Sequence, residues 1–205
     1  MILTESSKWD QPIRTIVKDM VKIIKNNDTG SWMLPNEIRQ EDSNDEGYSF
    51  YNVPEFTLYF DWDFNSKIKE PYYLNGNYDD ETDSMQVVLY VNPEFYPQSM
   101  YNIVGDLNDM VRHEFEHHLQ SWGYRDVDYS DTGDESPTNY KYYLQKHEVP
   151  AEIAGFRRIV KLRKEPVEKV IRDWFIRNQS VHKLNDRKKE KLIKKLVKKY
   201  NEFYN

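Results

Sequence analysis

Residues 110–123, MVRHEFEHHLQSWG, place three of the chain's five histidines within six positions. On a helix successive residues advance by about 100°. With that turn, Ile103, Val104, Leu107, Met110, Val111, Phe115 and Trp122 fall on one apolar arc, and Asp106, Asp109, Glu116 and Gln120 lie opposite. The spacing predicts a long amphipathic helix from about Ser99 to Trp122, stopped by Gly123. His113 and His117, one turn apart, sit at the boundary of the arc, and Glu114 projects into its flank. His118 lies deeper in the arc and reads as a hydrogen-bonded core histidine.

Outward from this helix the pattern is helix, then strands, then helices, which predicts one α+β domain. Ile13, Ile16, Val17, Met20, Val21 and Ile24 recur at helical spacing near the N-terminus. NNDTGSWMLPNE and NGNYDDETDS read as turns, and RQEDSNDEG as a surface loop. YSFYNVPEFTLYFDWDF reads as one or two strands broken near Pro54, and MQVVLYVN is the clearest strand. After a long acidic loop, helices are expected at about 146–163, from Pro166, and from a cap at Asn185 or Asp186 to the end.

A chain of 205 residues is long enough for one well-buried domain. Its hydrophobic content of 38% is low, but 16 Tyr, nine Phe and five Trp supply bulky core contacts. No apolar run reaches the length of a membrane span, and MILTESSKWDQ lacks the features of a secretory signal. The expected location is therefore cytoplasmic or virion-associated. With no cysteine there is no disulfide and no thiolate metal site. Charge is lopsided: residues 1–140 hold 10 Lys/Arg against 27 Asp/Glu, and residues 141–205 hold 19 against 8. Attraction between the two parts within one globule is the preferred account.

The histidine helix carries the HExxH arrangement. Imidazoles one turn apart can direct nitrogens at a common point, where Zn²⁺ accepts both. A glutamate beside the first histidine then serves as base for water activated by the metal, which attacks a carbonyl carbon. His113 and His117 are thus the expected metal ligands and Glu114 the catalytic base. The competing account is a helix with solvated histidines at its boundary.

A catalytic zinc needs at least one further protein ligand. The metzincin pattern fails, because Gly123 stands where its third histidine belongs and Gln120 where its glycine belongs. The next candidates lie in YYLQKHEVPAEIAGF, residues 142–156, where Glu148 and Glu152 are four apart and share a helix face.

With these residues the chain resembles the gluzincin metallopeptidases, most of all their small minigluzincin and phage-encoded members. The resemblance covers about residues 85–160. It rests on HExxH plus EVPAE, which matches an ExxA[D/E] motif as Glu148, Ala151 and Glu152. It implies Glu148 as third zinc ligand, with Glu152 holding the other nitrogen of His113. Two departures are Pro150 within the motif and Glu where Asp is commoner.

The expected organisation, which outside residues 85–160 rests on the residue patterns alone, is a zincin-like domain over residues 1–165 with a small mixed sheet, an HExxH helix and a glutamate helix. Residues 166–205 would form a helical extension on the same domain. One zinc ion is the implied cofactor, and a peptide or protein bound along the strand MQVVLYVN the implied substrate. Tyr142, Tyr143, His147 and His182 are available to stabilise an oxyanion, and none stands out.

Other motifs are weaker. DWDFN starts like a calcium loop but places Ser66 and Tyr72 where glycine and an acid belong, so it is not an EF-hand. Asp126, Asp128 and Asp131 read as a solvated acidic loop in preference to a calcium site. Between Lys183 and Lys199 the last helix carries nine Lys/Arg against two acids. Docking with a solvated basic face is preferred there over nucleic-acid binding, since no aromatic–basic interleaving accompanies the charge. Two rival functions are a non-catalytic zincin-fold scaffold or virion protein, and a regulator whose basic tail binds nucleic acid. The Asn-, Lys-, Tyr- and Ile-rich composition is of the kind found in AT-rich phage genomes.

Overall fold

A computed structural model describes residues 9–34, 56–124, 141–177 and 184–204. Its architecture is α+β, with five helices and one four-stranded mixed sheet among the described residues. Helix α1, Asp10–Lys25, precedes β1 (Gly30–Leu34), β2 (Thr57–Phe64), β3 (Tyr72–Asp79) and β4 (Ser84–Val91). Then follow α2 (Met100–Ser121), α3 (Glu148–Arg163), α4 (Val167–Arg177) and α5 (Asp186–Tyr204). The acidic residues Asp126, Asp128 and Asp131, and His182, lie outside the described residues.

The strand order is β1-β2-β4-β3, with β2 and β4 parallel and the outer strands antiparallel to their neighbours. Two of these strands correct the turn readings. β1 falls in NNDTGSWMLPNE, and β3, YYLNGNYD, takes in the start of NGNYDDETDS. Gly76 and two asparagines give β3 weak strand propensity, but register along the whole of β4 overrides it. The expectation that MQVVLYVN offers an edge is also corrected. β4 is paired on both sides, and β3 lies at one edge of the sheet among the described residues. DWDFN belongs to β2 and the residue after it, where Asp61 accepts from Gln86 and no ion loop forms.

Alternation on β2 and β4 turns Leu58, Phe60, Trp62, Met85, Val87, Leu89 and Val91 to one side. There they meet Ile13, Val17, Met20 and Ile24 of α1, and Ile103, Leu107, Val111, Phe115 and Leu119 of α2. A second core joins Ile153, Phe156 and Ile159 of α3 to Val170, Ile171 and Phe175 of α4 and Leu192, Ile193 and Leu196 of α5. Asn185 is the cap of α5, its Oδ1 accepting the Lys188 amide at 2.9 Å. Arg187, Lys191, Lys194, Lys195 and Lys198 of α5 are exposed. Charge complementarity between the two parts of the chain appears at Asp106, which accepts from Arg177 at 2.8 and 2.9 Å, and at Asp10, which accepts from Lys161 at 2.7 Å.

Helix α2 therefore has a neighbour on each side: the sheet and α1 on one, α3 on the other. Its polar side, opposite the apolar arc, is therefore covered as well. Glu116 and Gln120 are buried, Glu116 through a 2.8 Å pair with buried Arg112. Buried Arg158 of α3 donates to Asn108 at 3.2 Å across the same seam. Trp122, assigned to the apolar arc, is exposed just past the helix end and donates to Asp83 at 2.7 Å. No helix of the described residues is long and apolar enough to cross a membrane.

Candidate metal centre

Where α2 and α3 cross, ligand atoms from His113, His117 and Glu148 all lie within 4.8 Å of one another. His113 Nε2 and His117 Nε2 are 3.1 Å apart. Glu148 Oε2 lies 3.5 Å from the first and 3.7 Å from the second. That oxygen is fully buried and makes no hydrogen bond. An acceptor left so at the focus of two imidazole nitrogens fits a cation, since a buried polar atom without a partner is costly. The donor set, two imidazoles and a carboxylate, is one that zinc takes at catalytic sites.

Glu148 reaches this point because α3 begins with it. Pro150 sits in the first turn, where a backbone N–H has no helical partner to lose. Burial pushes the Glu148 carboxyl up, but the facing nitrogens of His113, His117 and His147 outweigh it and hold it well below the ordinary range. His147 Nε2 stands 3.5 Å from Glu148 Oε1, and the Tyr142 hydroxyl faces the same carboxylate. Burial, then Glu148, raises the Tyr142 hydroxyl's pKa. Tyr143 is instead packed in the second core against Trp174.

Glu152, one turn further along α3, places Oε2 4.0 Å from His113 Nδ1. Burial disfavours the His113 imidazolium, but Glu148, Glu152 and Glu114 together raise its pKa to about 10. Burial, eased by His113 and reinforced by Asp109, raises Glu152 to about 8.

Glu114 is 5% exposed and faces β3, accepting the Tyr78 backbone N–H. Burial raises its pKa, against the pull of His113 and His117. Gly76 makes the approach possible. A Cβ there would stand 2.3 Å from Met110 Sδ and 2.8 Å from Glu114 Oε1.

His118 is fully buried away from this cluster, as its place in the arc predicts. Its Nδ1 is 3.2 Å from the Tyr78 hydroxyl, which also bonds Asp83 and Ser121. No protein-family model, curated protein or solved structure matches the chain. The arrangement is thus read from its own chemistry.

One contributor was missed at the sequence level. Gln120, read only as lying opposite the apolar arc, meets His117 Nδ1 at 3.3 Å. Its spacing of three from His117 was the available signal, since residues three apart on a helix are neighbours.

Proposed function

We propose that this protein is a zinc-dependent metallopeptidase of gluzincin type that hydrolyses peptide bonds. The observation that carries the reading is the unbonded Glu148 Oε2 between His113 Nε2 and His117 Nε2, with the Glu114 carboxylate on the same helix. Bound zinc would supply Lewis acidity, lowering the pKa of a water towards neutrality and polarising a carbonyl.

His113, His117 and Glu148 would hold the ion, and Glu152 would steady His113 from behind. Glu114 would take the proton of the attacking water and pass it to the leaving amine. Burial raises its proton affinity above that of an ordinary carboxylate, against the pull of His113 and His117. β3, an edge strand among the described residues, runs beside Glu114, with Asn75 and Asn77 exposed. An extended peptide adding to β3 by main-chain pairing would lie along the site with little side-chain demand.

The test is zinc content together with hydrolysis of a generic unfolded polypeptide. One zinc per chain and cleavage lost in Glu114→Gln are expected. Stoichiometric zinc without cleavage of any unfolded substrate would overturn the peptidase reading in favour of a metal-bearing scaffold.

A further inference from the structure

The Gln120 side chain joins the two helices of the site. Its Nε2 donates to the main-chain oxygen of His147 at 2.9 Å, and its Oε1 faces His117 Nδ1 at 3.3 Å. Gln120, His117, His147 and Glu148 are all buried. The contacts run from His117 to Gln120, to the His147 carbonyl, and from His147 Nε2 to Glu148 Oε1 at 3.5 Å, while Glu148 Oε2 stands 3.7 Å from His117 Nε2 without a bond.

The donors in this path leave little freedom. A main-chain carbonyl only accepts, so the amide nitrogen of Gln120 must face His147. The amide oxygen must then face His117, and an oxygen there requires Nδ1 to carry the hydrogen. His117 Nε2 is left bare, with its lone pair turned towards His113 and Glu148. The 3.1 Å approach of the two Nε2 atoms needs one proton between them, and this tautomer puts it on His113. The same amide holds the residue immediately before Glu148, so it also fixes where α3 starts relative to α2.

We infer that Gln120 is a positioning residue of the metal centre: it fixes the tautomer of His117 and clamps the start of the glutamate helix. This rests on the metal-centre reading above, but its first consequence precedes any metal. It also accounts for the position at which the chain departs from the metzincin pattern, since glycine there could do neither task.

The experiment is nitrogen NMR of the histidine rings in the metal-free full chain, followed by zinc titration of wild type, Gln120→Met and Gln120→Glu. In the metal-free wild type, His117 should be the Nδ1–H tautomer. Gln120→Met, similar in shape but unable to bond either partner, should mix the tautomers and weaken zinc binding by roughly 10–100-fold, the usual cost of losing a ligand's outer partner. Gln120→Glu keeps an acceptor for Nδ1–H, so it should restore the tautomer although it cannot donate to the His147 carbonyl. The His118 ring signals, set by a separate network, report whether the fold is intact.

A wild-type His117 protonated at Nε2 would overturn the inference, whether or not the protein binds zinc. So would an affinity change of less than about twofold in folded Gln120→Met. If Gln120→Met does not fold, the wild-type tautomer and the Gln120→Glu response still decide. Failure of peptide hydrolysis alone would remove the proposed activity and leave this inference standing.

Discussion

Glu148 Oε2 and His113 Nε2 face each other at 3.5 Å across the seam between α2 and α3, although 34 residues separate them in the chain. The helix crossing makes the site, and substitutions on its two sides have distinct consequences. His113→Ala, His117→Ala and Glu148→Ala should each strip most of the zinc, because two protein ligands make a weak site. Glu152→Ala should keep zinc with affinity reduced by roughly 10–100-fold. Metal analysis and competitive chelator titration measure both. The opposite order for the two glutamates would exchange their roles.

Glu114→Gln should retain zinc at wild-type stoichiometry and reduce hydrolysis by about 10²–10⁴-fold. The amide keeps the shape but cannot take a proton. Cleavage rates on an unfolded polypeptide, measured with zinc content in the same preparation, check it. Wild-type activity would rule Glu114 out as the base.

Gly155 spaces the two helices. A Cβ there would stand 2.3 Å from Asp109 Oδ1 and 3.2 Å from the Asp109 main-chain oxygen. The carboxylate can swing aside, but the main chain cannot. Gly155→Ala should therefore cost about 1–3 kcal/mol of stability. Zinc affinity should fall with it, because moving α3 outward draws Glu148 and Glu152 away from His113. Denaturant unfolding and zinc titration measure the two effects, and an unchanged affinity would show that the crossing has slack.

Stability of the metal-free chain should fall as pH rises from about 5 to 8. Burial, with Asp106 nearby, raises Asp109 to about 7, and Glu152 stands at about 8, against about 4 for unfolded carboxylates. The folded state thus holds protons that the unfolded chain releases. Their stabilisation is full below the unfolded values and is lost as pH rises through the folded ones. His113, raised to about 10, acts in the same direction at higher pH, from its unfolded value near 6.5 upwards. Thermal unfolding across this range should show a slope that Asp109→Asn flattens. A stability that rises over the same interval would contradict these assignments.

Local pattern alone determined much of this protein. Helical spacing of apolar residues gave α1 and the long helix of His113 and His117, because that period follows from the geometry of a single helix. The depth of His118 in the apolar arc predicted its burial, and five of the six apolar residues named on α1 face the first core as buried side chains. The pairing of Glu148 with Glu152 on one face was legible for the same reason.

Tertiary structure decided what depends on a second surface. β3 is a strand because β4 supplies its hydrogen bonds, whatever the preference of Gly76 and its asparagines. Glu116 and Gln120 are buried because α3 covers a face that hydropathy assigns to solvent. The partner of His117 Nδ1 and the nearness of Glu148 depend on where two helices cross. No periodicity within either helix encodes that crossing, because it is set by side chains of both at once.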